Sequence, residues 1–138
     1  MNLTSFTDYG LRMLMRMASA PDQAFSTADM AEEFKLSRNH LTKIMQRLAQ
    51  GGIVETRRGA NGGAVLRRSP GEIRLGDVVR LLERGQALVE CFGPDAGSCT
   101  IEGHCRLRSR LSQAERHFIA DLNSSTLADI ALPQQTPA

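Results

Sequence analysis

Residues 37–68 read SRNHLTKIMQRLAQGGIVETRRGANGGAVLRR. Ser37 is a helix N-cap residue type, because its hydroxyl can accept a bond from an otherwise unpaired N–H in the first turn. Leu41, Ile44, Met45 and Leu48 follow at helical spacing and predict one buried face. Gly51 and Gly52 stop the helix. IVETRR (53–58) and AVLRR (64–68) then predict two short strands around GANGG, whose Asn61-Gly62 pair is a strong hairpin signal. A capped helix running straight into a basic hairpin is the end of a winged helix-turn-helix.

The flanking sequence supplies the remaining parts. A first helix is predicted over Ser5–Ala20, with Ser5 and Asp8 spaced for a capping box. A second runs from a Ser26 cap to about Phe34, and KLS makes the tight turn into the third. Leu75, Val78, Val79 and Leu82 predict a short amphipathic helix, Leu75 to Glu83. From Cys105 to Leu122 the chain carries Leu107, Leu111, Ala114, Phe118 and Leu122 in a coiled-coil-like stripe. Such a stripe either folds back on the domain or pairs with a second copy, and a C2 dimer would present two recognition helices to a palindromic operator. TLADI adds a last short turn. The expected architecture is mostly α: a winged helix-turn-helix domain (1–84) with a two-stranded wing, a cysteine loop (85–104), a long C-terminal dimerisation helix with the terminal turn (105–131), and a disordered tail (132–138).

Charge points to the partner. The chain of 138 residues has a net charge of +2, yet residues 35–68 hold eight Lys or Arg against Glu55 alone, a local +7. A basic patch confined to one segment fits a polyanion. The residues expected to face duplex DNA are Ser37, Arg38, Asn39, His40, Lys43, Gln46 and Arg47 on the recognition helix, and Arg57, Arg58 and Asn61 in the wing. Arg67 and Arg68 lie on its second arm. Asn39 can bond an adenine edge and Arg38 a guanine edge. The competing arrangement is a three-helix bundle with a solvated hairpin. No catalytic constellation competes: His40, His104 and His117 fall on different elements, and neither a phosphate loop nor a nucleophile elbow is present. The chain is therefore expected not to be an enzyme. It has no run of five apolar residues and no secretory leader pattern, so a cytoplasmic location is expected.

All three cysteines fall in CFGPDAGSCTIEGHC, as Cys91, Cys99 and Cys105. In a reducing compartment clustered thiols bind metal more often than they form disulfides. Structural zinc usually takes tight C-x2–4-C pairs. The spacing here, C-x7-C-x5-C, is wider and suits an iron–sulfur cluster. Zinc and a reversible thiol switch remain as alternatives.

LTSFTDYGLR, SRNHLTKIMQRL, RRGANGGAVL, IRLGDVVR and the three-cysteine loop followed by a helix resemble the Rrf2-type family of bacterial winged-helix regulators. The resemblance covers the chain except its tail. It implies a homodimeric DNA-binding repressor whose DNA affinity is set by an iron–sulfur cluster, of 4Fe–4S type or, alternatively, 2Fe–2S. Resemblance to the nitric-oxide-sensitive members implies a nitric oxide or redox signal. The wide first cysteine gap is similar to that of iron-responsive members, which makes iron the alternative signal. An iron–sulfur carrier or electron-transfer module is the alternative from another class, and the basic segment speaks against it. In some members a His three residues past the third cysteine is the fourth ligand; here that position is Arg108. In the nitric-oxide-sensitive members an aspartate in the first helix reaches the other subunit's cluster, which implies Asp8. The local alternative for Asp8 is helix capping with Ser5 and an i,i+4 pair with Arg12.

Overall fold

The computed structural model describes residues 2–59, 62–86, 88 and 106–133. Three helices come first: α1 (Ser5–Ala18), α2 (Thr27–Phe34) and α3 (Arg38–Gln50). Strands β1 (Val54–Arg57) and β2 (Gly63–Leu66) form the wing. A 3-10 turn (Pro70–Glu72), α4 (Leu75–Leu82), α5 (Arg106–Leu122) and α6 (Leu127–Ile130) complete the chain. The fold is the expected mostly helical winged helix-turn-helix.

Local chemistry sets the boundaries. Ser26 and Ser37 cap α2 and α3, accepting from the N–H groups of Asp29 (2.9 Å) and His40 (3.3 Å). α2 ends on Lys35 in the left-handed conformation, φ 57° and ψ 46°. The N–H of Leu36 then bonds back to the Ala31 carbonyl at 2.9 Å, which turns the chain sharply into α3. The first helix differs from expectation at its start. Its N-cap is Thr4, not Ser5: the Thr4 hydroxyl accepts from the Thr7 N–H at 3.3 Å. Thr4 wins because Glu83, at the end of α4, accepts from both its N–H and its hydroxyl.

The core lies where α1, α3 and α4 meet. Met13, Leu14, Met17, Leu41, Ile44, Leu48, Val78 and Leu82 are buried there. These are apolar side chains at helical spacing, and their removal from water is the main stabilising term. Leu127 of α6 is fully buried in the same cluster. The chain reaches it by pairing Arg74 with Thr126, and the Leu132 N–H then bonds to the Met15 carbonyl at 3.2 Å.

The wing is antiparallel, with Val54 opposite Leu66 and Arg57 opposite Gly63. Phe25 adds a third position, exchanging backbone bonds with Ala64 at 2.9 and 2.8 Å. Gly63 permits this approach: its φ is 148°, and a Cβ there would strike the Phe25 backbone.

α5 docks on α4 through its C-terminal half. Ile119 is the buried residue of α5, although it lies outside the expected stripe. Asn123 accepts from the Asp77 N–H at 3.0 Å and donates to the Asp77 carboxylate at 3.3 Å. Gly76 sits beneath this contact, and an added Cβ would meet the Ile119 carbonyl and the Asn123 side chain. Gly76→Ala is expected to destabilise the protein by about 2–3 kcal/mol through overpacking against backbone, outweighing the roughly 1 kcal/mol of helix propensity gained. Denaturant unfolding checks this, with a lower midpoint and an unchanged slope as the expected result.

Candidate nucleic-acid interface

α3 divides its residues between two faces by helical geometry. Leu41, Ile44, Met45 and Leu48 turn into the core as expected. Arg38, Asn39, Lys43 and Gln46 are exposed on the opposite side, as is the capping Ser37. The Thr42 hydroxyl donates to the Arg38 carbonyl at 2.9 Å and so leaves the outward row to its neighbours. Lys35, in the turn before α3, is also exposed. On the wing, Arg57, Arg58, Arg67 and Arg68 are exposed. Glu55 touches Arg57 at only 3.8 Å with both side chains more than half exposed, a weak pair that leaves Arg57 available to a phosphate. Asn61 lies outside the described residues.

Two residues expected on the DNA face turn elsewhere. His40 is half-buried, with its ring 5.3 Å from Tyr9 in an edge contact and 6.0 Å from Phe6. Arg47 is half-buried too. Its guanidinium lies 4.8 Å from the centre of the Phe6 ring, and Nη1 donates to the carbonyls of Leu82 (3.4 Å) and Arg84 (3.3 Å). The reason is periodic: positions 40, 44 and 47 share a helix face with Ile44 at its middle. The polar identities of His40 and Arg47 masked that spacing. Phe6 and Tyr9, three residues apart on α1, form the aromatic side of the contact and were not anticipated as site residues.

Asp8 stands in the first turn of α1, its side chain 50% exposed. Its carboxylate accepts from Arg12 Nε at 3.2 Å and Nη2 at 2.9 Å, the expected i,i+4 pair. The expected capping role falls to Thr4, so Asp8 is not used to start the helix. Arg12 in turn lies over the Tyr9 ring at 5.5 Å. Among the described residues no three His, Cys, Asp or Glu side chains converge on a possible metal position. Cys91, Cys99, Cys105 and His104 lie outside the described residues. Among those residues, no helix is long and apolar enough to cross a membrane.

A helix-turn-helix whose second helix presents Arg38, Asn39 and Lys43 outward, beside a wing edged with arginine, defines a winged-helix transcriptional regulator rather than an enzyme. The family model described as Rrf2, iron-dependent transcriptional regulator, matches residues 3–132, and the chain belongs to that family. It is similar to the HTH-type transcriptional regulator NsrR of Shouchella clausii (strain KSM-K16), with 38% identity over 133 residues, 96% of this chain and 89% of that protein. Among solved structures it is similar to CymR (YrzC), the global cysteine regulator of B. subtilis, with a TM-score of 0.72, 27% identity, and coverage of 95% of this chain and 96% of that one. The T. potens IscR structure matches with a TM-score of 0.72 and 25% identity, covering 94% and 85% of the two chains.

Proposed function

We propose that this regulator is a homodimeric, cytoplasmic repressor that binds a palindromic operator and senses nitric oxide or redox stress through an iron–sulfur cluster. Cys91, Cys99 and Cys105 would hold the cluster, and Asp8 of the partner subunit would complete the set. The observation that carries this is the placement of three soft thiolate donors within fifteen residues, between α4 and α5, in a chain whose family is described as iron-dependent. That donor set suits iron–sulfur chemistry. Asp8 fits the remaining place because it is half exposed and freed from capping. Its pair with Arg12 is a surface ion pair worth only about 0.3–0.5 kcal/mol, so a stronger oxygen ligation can displace it. When bound, the cluster supplies a group that nitric oxide or oxygen can attack. The stem residues at the ends of α4 and α5 would then hold the two DNA-reading units in register only while the thiolates share a common anchor.

The stripe on α5 supports the dimer. Leu107 is 60% exposed, and Leu111, Phe118 and Leu122 are only half-buried within one chain. Anaerobic purification followed by nitric oxide titration, monitored by visible absorption and by DNA binding together, tests the whole proposal. Coloured protein that loses colour and DNA affinity in parallel is the expected result. Colourless protein with stoichiometric zinc would remove the cluster. The x7 gap between Cys91 and Cys99 favours iron availability as the second candidate signal, and affinity that follows iron supply but ignores nitric oxide would select it.

The DNA-reading set proposed is Ser37, Arg38, Asn39, Lys43, Arg57, Arg58 and Asn61. Arg38→Ala and Lys43→Ala should each weaken operator binding without lowering stability, because both side chains are exposed. Where the lost contact is to phosphate, the salt dependence should fall by about one unit. Unchanged affinity and unchanged salt dependence in both variants would remove the recognition-helix assignment.

A further inference from the structure

The last turn of α4 is gripped from two sides. On one side Arg47 of α3 donates to the Leu82 and Arg84 carbonyls. Leu82 is the last residue of α4, whose carbonyl a helix leaves unpaired, and Arg84 lies in the turn just beyond it, where a cation is also favoured by the helix dipole. On the other side Glu83 accepts from the Thr4 N–H and from the hydroxyls of Thr4 and Thr7, at the start of α1. Phe6 closes the triangle, lying under the Arg47 guanidinium and beside His40. The recognition helix is thus tied directly to the turn from which the chain departs toward Cys91, seven residues beyond Arg84.

We propose that Arg47 is a positioning residue, which orients the recognition helix according to how the α4 terminal turn is seated. It thereby transmits the state of the cysteine segment to the DNA-reading face. This rests on the sensing function proposed above. Arginine alone suits this position, because its planar fork can stack on Phe6 while its N–H groups reach two carbonyls, whereas lysine offers a point charge.

The test uses Arg47→Lys and Arg47→Gln in the full chain, with a duplex selected by the wild-type protein from a randomised pool. Affinity is measured anaerobically for iron–sulfur-loaded and chelator-depleted protein, at several salt concentrations. Both variants should keep the visible spectrum and the wild-type salt dependence. The ratio of loaded to depleted affinity should fall toward one, by about fivefold or more. A wild-type ratio in both variants overturns the proposal. So does an equal loss in both forms of Arg47→Gln, rescued by Arg47→Lys, with a salt dependence reduced by about one unit, for that marks a phosphate contact. If Arg47→Gln fails to fold, Phe6→Leu gives the same readout by removing the ring beneath the guanidinium, and an unchanged ratio there also overturns it. A wild-type protein whose two forms bind DNA equally would remove the sensing function itself, and this role of Arg47 with it.

Discussion

Cys99→Ser should yield a colourless or rapidly bleaching protein that retains its helical content. The three thiolates are the strong ligands of the proposed site, and a serine hydroxyl is a poor replacement for a thiolate on iron. The fold should survive because α1, α3, α4 and α6, which build the core among the described residues, carry no cysteine in their sequences. DNA affinity should drop to that of depleted wild-type protein, a loss of roughly 5- to 150-fold if the coupling is of ordinary allosteric size. Cys91→Ser and Cys105→Ser should behave alike. Parallel measurement of visible absorption, circular dichroism and operator affinity separates loss of the ligand set from loss of the fold. Retained colour in all three variants would place the metal elsewhere.

Asp8→Ala has a different expected pattern. The three cysteines should still retain the cluster, with a shifted spectrum because one oxygen ligand is gone. The dependence of DNA affinity on cluster state should weaken, because the proposed tie from one subunit's α1 to the other subunit's cluster is cut. Stability should hardly change. The residue does not cap α1, and the exposed Arg12 pair contributes only about 0.3–0.5 kcal/mol. Arg12→Ala is the control: it removes the ion pair and leaves the carboxylate, so it should preserve the spectrum. If Asp8→Ala leaves the spectrum, the nitric oxide reactivity and the coupling unchanged, Asp8 is only the partner of Arg12.

The elements of the DNA-reading unit were legible because they are local. Ser26, Ser37, Gly51 and the apolar row Leu41, Ile44, Met45 and Leu48 each act within one or two turns. What escaped depends on residues far apart in sequence. Thr4 displaced Ser5 as the cap because its partner is Glu83, 79 residues away. The Phe25–Ala64 bridge is a single contact and leaves no periodic trace. α6 spans four residues, too few for periodicity to reveal that Leu127 is wholly buried. In the candidate interface, the exposed Arg38, Asn39 and Lys43 followed from helical phase alone. His40 and Arg47 did not, because a histidine and an arginine read as solvent-facing until Phe6 and Tyr9 are placed beside them.

The docking of α5 on α4 around Gly76 carries a thermodynamic consequence for the segment between them. Twenty-three residues separate Leu82 from Arg106, and the two helices are held together by Ile119, Asn123 and Asp77. Because Gly76 and Asp77 are held against Ile119 and Asn123, the chain from Asp77 to Asn123, which contains that segment, is already closed into a loop. Bringing together the ends of a loop of this length costs about 3.4 kcal/mol beyond a constant, and packing of the core has already met that cost. A group held by the cysteines, as proposed, would bind within a loop whose ends are already joined. For the proposed cluster, retention of the metal and docking of the helices are accordingly linked quantities: weakening the contact at Gly76 should make the bound group easier to strip.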